Sequence, residues 1–325
     1  MRRRDFLSVV AGATAWPFAV RAQRPEKVPF VGYVSPFAGR SFLDEAFEDG
    51  LKQLGWVKGQ NIRIEYRYAS GRQDTFSPLV SEVLALGVDA LVTVGSPMSL
   101  IAKRASTQIP LIFFITFDPV EIGLVSNLAR PGGNVTGVTG LGTDEVFGKR
   151  LQLTTQIVPS VSRIAVLLST EQNHFSRSKG ALVTAAKALG VELHDLDVQA
   201  PSEVEGAIRN AKDQGTQALY IWPNGFNYSF AKQISDVANA NSLPSIYPFR
   251  EGVLAGGLVS YGADVKDLGP RGAAQVDKIL RGAPPGALPV EQLSKYELLI
   301  NLKTAKALGL DVPPSLLALA DEVFE

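Results

Sequence analysis

The amino-acid sequence predicts an α/β fold of two lobes, each built on a mainly parallel sheet, joined by a hinge. Three observations lead to this prediction. The chain has 325 residues, which is above the usual size of a single hydrophobic core. Strand-like runs alternate with helix-like runs along most of it, as in βαβ units. The alternation restarts after Gly140, and the glycines at 137, 140 and 142 suit a flexible connection there.

The first half contains the elements of one lobe. Mostly apolar runs predict strands at 28–34, 61–69, 89–95 and 111–116. Apolar residues at helical spacing predict helices near 41–56, 75–87 and 97–106. A further helix is expected after Asp118-Pro119, ended by Pro131 and the two glycines that follow it.

The second half repeats this layout. Strands are expected at 162–169, 191–198, 216–223, 243–249 and 253–262. Helices are expected near 144–157, 174–189, 202–213, 227–240 and 264–281, and the segment 293–310 and a short tail helix complete the chain. The predicted division gives lobe 1 residues 23–140 and about 262–290, and lobe 2 residues 141–261 and about 291–325.

Residues 1–22 are interpreted as an export signal. The segment has a basic start, an apolar stretch and a small-residue cleavage site that ends at Ala22. Arg3-Arg4 before Asp-Phe-Leu fits the twin-arginine pattern, although general secretion stays open as an alternative. A membrane anchor needs about 20 apolar residues, and this stretch is shorter and contains Pro17. The mature chain is therefore expected in the periplasm, after cleavage behind Ala22.

Charge and cysteine content exclude several classes of function. Removal of the signal takes away four arginines and one aspartate, which leaves 28 basic and 31 acidic residues and a net charge of −3. The mature chain has no basic stripe for nucleic acid and no second apolar span for a membrane. It has no cysteine, so disulfides and thiol chemistry are excluded.

Polar residues follow the strands of the first half where each strand is expected to end. Ser35 and Ser96 each precede a proline, and Asp118 ends the buried strand in the same way. Such a pair signals a helix start, because the side-chain oxygen caps free N–H groups and proline suits the first helical position. Ligands of open α/β sheets bind outside the carboxyl ends of the strands, but each residue could alternatively be only a cap. The candidate ligand-binding residues here are Ser35, Ser96, Pro97, Asp118 and Thr139.

The second half has its own polar and aromatic residues after strands. Amides, aromatic rings and an arginine could orient and stack a small polar ligand. In the alternative interpretation, Trp222 and Tyr247 are buried packing and Arg250 pairs with Glu251. The candidate ligand-binding residues here are Asn173, Trp222, Asn224, Tyr247, Arg250 and Tyr261.

Catalytic signatures are weak. His174 and His194 are the only histidines, and neither belongs to a metal-binding spacing such as His-Glu-x-x-His. The sequence has no Gly-x-Ser-x-Gly elbow and no phosphate loop. These residues favour a cleft that holds a ligand over one that transforms it, with no cofactor and no metal ion.

Several long blocks resemble the ABC-transporter substrate-binding proteins of the tryptophan/tyrosine-type family. They are AFEDGLKQLGWVKGQNIRIEYRYASG (46–71), DALVTVGSP (89–97), IPLIFFITFDPVEIGLVSNLARPGGNVTGVT (109–139), GLVSYGADVKDLG (257–269) and the ending from 296 to 325. The resemblance covers nearly all of the mature chain. Two loops depart from the family pattern: Gly95-Ser96-Pro97-Met98, where Gly-Thr-Pro is frequent, and 171–174, where only Asn173 is retained.

The resemblance implies a type I periplasmic-binding-protein fold, in which two Rossmann-like lobes on a three-segment hinge close on a ligand. Some relatives bind aromatic amino acids, so an amino acid or a related carboxylate is the expected ligand. The implied partners are an inner-membrane permease and its ATPase, and a monomer is expected. Two alternatives stay open: a ligand-sensing protein for a membrane receptor, and an exported enzyme that uses Asp118 with a partner such as Glu251.

Overall fold

The computed structural model describes residues 27–140, 144–168 and 176–325. In chain order its strands are β1 (Phe30–Ser35), β2 (Arg63–Tyr68), β3 (Ala90–Val94), β4 (Leu111–Phe114), β5 (Val135–Thr139), β6 (Arg163–Leu168), β7 (Glu192–Asp197), β8 (Ala218–Ile221), β9 (Ser245–Tyr247), β10 (Val259–Ala263), β11 (Glu291–Gln292), β12 (Tyr296–Asn301) and β13 (Glu322–Phe324).

The helices surround these strands. They are α1 (Phe42–Gln53), α2 (Phe76–Ala85), α3 (Ser96–Ala105), α4 (Asp144–Ile157), α5 (Ser176–Leu189), α6 (Val204–Asp213), α7 (Gly225–Ser229), α8 (Ala231–Ala240), α9 (Arg250–Leu254), α10 (Val265–Leu280), α11 (Leu302–Ala307) and α12 (Pro314–Leu317). None of these described helices is long and apolar enough to cross a lipid bilayer.

The strands form two sheets. In the described part of the chain, one sheet has the order β11-β5-β4-β3-β1-β2 and the other has the order β13-β12-β10-β9-β8-β6-β7. All neighbours in the first sheet are parallel, and in the second only β10 and β12 pair antiparallel. The first sheet with its helices is called lobe 1, and the second lobe 2. The predicted α/β fold class, with two parallel-sheet lobes, is confirmed.

The chain passes from one sheet to the other three times within the described residues. β5 of lobe 1 precedes α4, which packs on β9 and β10 of lobe 2. β10 of lobe 2 then leads into α10, which packs on α1, β4 and β5 of lobe 1. Finally β11 pairs with β5 in lobe 1, and the chain returns to lobe 2 as β12. Three neighbouring segments therefore connect the lobes, which is the geometry of a hinge.

Two predicted helix starts are wrong, and sequence shows why. Ser35-Pro36 does not start a helix: α1 begins later, where Ser41 and Asp44 form a reciprocal capping box at the backbone N–H groups. After Asp118-Pro119 the described residues form hydrogen-bonded turns in place of the expected helix. The third pair does start a helix, since α3 begins at Ser96 with Pro97 in its first turn. The predicted capping role of Ser96 is wrong, however, because Gly95 holds the N-cap position and no side chain caps the helix.

Glycine allows α1 and α10 to approach closely. An added Cβ at Gly269 would lie 2.5 Å from the carbonyl carbon of Ala46, and one at Gly50 would lie 2.7 Å from the Cα of Pro270. These contacts involve backbone atoms, which cannot turn aside as a flexible side chain does. The two helices can therefore pack at this distance only while both positions lack a side chain.

We expect Gly269→Ala to lower the free energy of unfolding by about 1–3 kcal/mol, the usual cost of an extra methyl group in a packed interior. Alanine's higher helix propensity, worth roughly 1 kcal/mol, offsets only part of this. Gly206→Ala in α6 is the matched control, because an added Cβ there meets nothing within 4 Å. Denaturant unfolding should show that variant to be slightly more stable, and a shift of both variants in the same direction would contradict the packing argument.

Candidate functional site

Residues that follow the strands of both sheets meet across the lobes and enclose an apolar cavity of about 50 Å³. Lobe 1 contributes the segments after β1, β2, β3 and β4, and lobe 2 contributes those after β8 and β9. Its aromatic and proline lining comprises Pro36, Phe37, Phe76, Pro97, Phe117, Pro223, Phe226 and Phe249. The carboxyl ends of the two sheets therefore face each other, which is where open α/β sheets bind ligands.

Aromatic rings hold the lobes together at this cavity. Phe117 of lobe 1 lies nearly parallel to Phe147 and Trp222 of lobe 2, each with a centroid distance of 6.1 Å. Phe37 of lobe 1 stacks on Tyr228 of lobe 2 at 3.6 Å. Aromatic pairs contribute about 0.5–1.5 kcal/mol beyond area burial, so these contacts stabilise a closed arrangement of the lobes.

The backbone is strained at the wall of the cavity. Ile115 follows β4 with a φ of +52°, which a β-branched residue adopts only at a cost of about 1–3 kcal/mol. Its N–H donates to the carbonyl of Val138 at 3.1 Å. The next residues, Thr116 and Phe117, leave the sheet toward lobe 2. Strain of this kind is typical of functional sites.

A polar cleft of about 660 Å³ adjoins the segments that connect the lobes. Its polar lining comprises Asp118, Glu121, Thr139, Asp144, Glu145, Ser178, Gln292, Ser294 and Tyr296. Four of these residues carry carboxylates, so the cleft favours a positively charged group such as an ammonium. Phe117 lines the apolar cavity and the adjacent Asp118 lines the cleft, so the two spaces meet along one stretch of backbone.

Asp118 is exposed in the polar cleft and also stabilises its own turn. One carboxylate oxygen accepts hydrogen bonds from the N–H groups of Val120 at 2.9 Å and Glu121 at 3.2 Å. The predicted capping role of Asp118 is therefore present, on a turn and not on a helix. A role toward a ligand stays a prediction, and the position of the side chain in the cleft is compatible with it.

The other lobe 1 candidates lie around the same two spaces. Ser96 lines the apolar cavity with Pro97, and its Oγ accepts a hydrogen bond from the N–H of Phe117 at 2.9 Å. Thr139 lines the polar cleft and donates to the carbonyl of Thr116 at 2.7 Å. Ser35 is fully buried, and its Oγ accepts from the N–H of Phe37 at 3.3 Å. The structure thus brings Ser96, Pro97, Asp118 and Thr139 together, with Ser35 behind the wall.

Among the lobe 2 candidates, Asn224 lines the apolar cavity and Trp222 packs against Phe117. The Asn224 Oδ1 accepts from the N–H of Asn227 at 2.6 Å. Tyr261 stacks on Tyr296, a residue of the polar cleft, with a centroid distance of 5.8 Å. Asn173 and His174 lie outside the described residues.

Tyr247 and Arg250 are placed away from both spaces. Tyr247 is 2% exposed in the core of lobe 2, and burial raises its pKa to about 12. Its hydroxyl group forms a hydrogen bond with the hydroxyl group of Ser235. Arg250 pairs with Glu297 at 3.0 Å and Glu322 at 2.9 Å. The alternative pairing of Arg250 with Glu251 is therefore wrong, because two other carboxylates occupy the guanidinium.

Sequence reasoning missed most of the aromatic lining. Phe37 immediately follows Pro36, and Phe117 immediately precedes Asp118. The argument from strand ends therefore applied equally well to these two aromatic residues. Arg150 was also missed, although it occupies a buried position of α4 together with Phe147. A charged residue at the spacing of a buried helical face was the available signal.

Comparison with known proteins identifies relatives of this chain. A family model described as "ABC transporter substrate binding protein" matches residues 38–324. The tyrosine-binding protein of Clostridioides difficile is 30% identical over 281 residues, which cover 85% of this chain and 80% of that protein.

Two solved structures have similar folds. One is an ABC domain in complex with L-Trp from Streptococcus pneumoniae, with 24% identity, a TM-score of 0.82, and coverage of 91% of this chain and 99% of that one. The other is the ligand-free, open structure of a substrate-binding protein with adhesive properties from Clostridium difficile, with 24% identity, a TM-score of 0.63 and the same coverage.

A buried carboxyl group supports the contact between Phe37 and Tyr228. The Tyr228 hydroxyl donates to Glu251 at 2.7 Å. Burial raises the pKa of Glu251 above its ordinary value of 4.5, and the hydrogen bond from Tyr228 only partly opposes this shift. The folded protein therefore binds a proton at Glu251 more tightly than the unfolded chain does.

We expect the free energy of unfolding to fall as pH rises from about 4.5 through the raised pKa of Glu251. In this window the folded state binds more protons, so raising the pH favours the unfolded chain. Denaturant unfolding at several pH values should show that Glu251→Gln removes this part of the loss. Tyr228→Phe should enlarge the loss of stability, because the hydroxyl donor that favours the ionised carboxylate of Glu251 is gone. Equal pH dependence in all three proteins would rule out the assignment.

Proposed function

Since the chain belongs to the family of ABC transporter substrate-binding proteins, we propose that it captures an aromatic amino acid between its lobes and delivers it to an ABC importer. The observation that carries the proposal is the apolar, aromatic cavity between the facing carboxyl ends of both sheets, beside an acidic cleft. A ligand with an aromatic ring and an ammonium group matches both spaces at once.

The relatives support this ligand class. The curated relative at 30% identity is a tyrosine-binding protein, and a structure of the same fold was solved in complex with L-Trp. In the proposed arrangement the ring of the ligand lies against Phe117, Phe147 and Trp222, and its ammonium group faces Asp118.

Ligand capture is proposed to proceed by closure of the lobes. The apolar cavity of about 50 Å³ is smaller than the roughly 150 Å³ that accommodates benzene in a protein interior, so a ring enters when the lobes are further apart. The ligand then bridges the lobes, and its differential contacts favour a closed form. The higher TM-score to the L-Trp complex than to the open structure, at equal identity, supports a closed arrangement here.

The remaining roles follow from the family. We propose that the mature protein works in the periplasm, after export by the segment 1–22, and that the closed form is recognised by an inner-membrane permease with its ATPase. Capture and release require no covalent step, so the chain is proposed to bind its ligand without transforming it.

Saturation with L-tyrosine or L-tryptophan should stabilise the protein. At 100 times the dissociation constant, ligand adds about 2.7 kcal/mol to the free energy of unfolding, which corresponds to a rise in Tm of several degrees. A thermal-shift screen, after unfolding and refolding to remove carried ligand, would test a panel of amino acids, small carboxylates, nucleosides and sugars. A shift with sugars or nucleosides alone would refute the proposed ligand class.

Asp118→Ala is expected to weaken ligand binding by about 1–3 kcal/mol, the cost of an unmade polar contact. Asp118→Asn is the matched variant: its amide oxygen can still accept from Val120 and Glu121, but the charge is lost. Calorimetric titration should show weaker binding for both variants. Denaturant unfolding should show lower stability only for the alanine variant. If affinity is unchanged while the alanine variant is less stable, Asp118 serves only the turn.

A further inference from the structure

Arg150 is a buried cation in the wall of lobe 2 that faces lobe 1. It lies on α4, about 9 Å along the helix axis from Asp144, a residue of the polar cleft. Arg150 is only 1% exposed. The Nε donates to the carbonyl of Tyr261 at 2.6 Å, and the guanidinium carbon lies 5.4 Å from the centre of the Phe147 ring.

No described carboxylate forms an ion pair with Arg150, and its Nη1 has no hydrogen-bond acceptor. The Phe147 ring and the nearby Tyr220 hydroxyl compensate the charge only in part. The partly buried Arg250 of the same lobe shows the usual alternative, because it pairs with two glutamates. A buried guanidinium without an anion is costly, so the site favours an anionic partner from outside the chain.

A second unpaired donor lies on the same wall. The Nε1 of Trp222 is buried and has no acceptor, and the Trp222 ring lies 5.0 Å from the Phe147 ring that Arg150 also contacts. Two donors without acceptors beside the same phenyl ring match an acceptor-only group such as a carboxylate.

Movement of the lobes provides access to these donors. On the lobe 1 side, the Phe147 and Trp222 rings are covered by Phe117. When the lobes separate, Phe117 leaves with lobe 1 and uncovers this wall. A ligand that enters there meets the phenyl and indole rings with the guanidinium beside them.

We propose that Arg150 binds the carboxylate of the ligand, with the Trp222 indole N–H as a second donor. This inference rests on the proposed function and adds to it the group that distinguishes an amino acid from the corresponding amine. Asp118 faces the ammonium group of the ligand and Arg150 the carboxylate on the same α-carbon, so the two charges of the zwitterion are recognised by opposite lobes.

The test compares ligands that differ only in the carboxylate, by calorimetric titration of L-tyrosine with tyramine and of L-tryptophan with tryptamine. The variants are Arg150→Met, which keeps an unbranched apolar stem, and Arg150→Lys, which keeps the charge. Arg281→Met is the matched control, because Arg281 also lies over an aromatic ring, that of Trp56, but pairs with Asp277.

The unmodified protein should bind each amino acid about 100-fold more tightly than its amine, and Arg150→Met should weaken amino-acid binding by about 10- to 100-fold, as loss of a charge-assisted hydrogen bond does. Amine binding should stay within about threefold, so the preference collapses. Arg150→Lys should retain part of the preference, and Arg281→Met all of it. These ratios are independent of a purely structural effect on stability.

Equal affinity of the unmodified protein for amino acid and amine would overturn the proposal without any variant. An undiminished preference in both Arg150 variants would overturn it as well. If the unmodified protein binds neither amino acid, the proposed function itself fails and this inference fails with it. That result differs from the other two, in which the amino acid binds but Arg150 does not determine the preference.

Discussion

The packing of α10 on α1 is the contact on which the rest of this architecture depends. α10 directly follows β10 of lobe 2, yet it covers the sheet of lobe 1, where Gly50 and Gly269 allow the two helices to approach. The chain must therefore leave lobe 2, and it returns there through β11 and β12. Three connecting segments result. Side by side, they permit the lobes to bend toward each other and resist sliding, so motion is directed onto the space between the sheets.

That space combines two different environments, the apolar cavity and the acidic cleft. An ion cannot enter the apolar cavity without a large loss of hydration, and an aromatic ring gains little in an acidic cleft. Because Phe117 and Asp118 are consecutive, one short segment of lobe 1 presents both surfaces. The strained Ile115 lies just before them and turns the chain out of the sheet. Such strain persists only where surrounding structure enforces it, which here includes the bond to Val138.

The sequence predicted the fold well, because periodicity, proline and glycine are local signals that tertiary packing seldom overrides when they agree. The family resemblance found from motifs is confirmed by the match over 38–324. The helix predicted after Pro119 does not form, because a proline and a capping oxygen determine only the first turn. Gly123 follows soon after with a positive φ, which does not continue a helix. The candidate site was predicted partly. Polar groups at strand ends could be found from the order of the elements along the chain. The position of Arg150 depends on which face of α4 meets the other lobe. The burial of Tyr247 depends on packing from α8 and α9.

The contact between Pro36 and Gly225 limits how closely the two lobes can approach each other. A Cβ added at Gly225 would lie 2.6 Å from the Cβ of Pro36 on the opposite lobe. The start of α7 and the segment after β1 therefore already touch, at a position where glycine has the least possible bulk. Proline is rigid and glycine has no side chain to compress, so this contact fixes the smallest separation that the two segments can reach. A molecule larger than the space left at that separation would hold the lobes further apart, and a smaller one would not draw them closer.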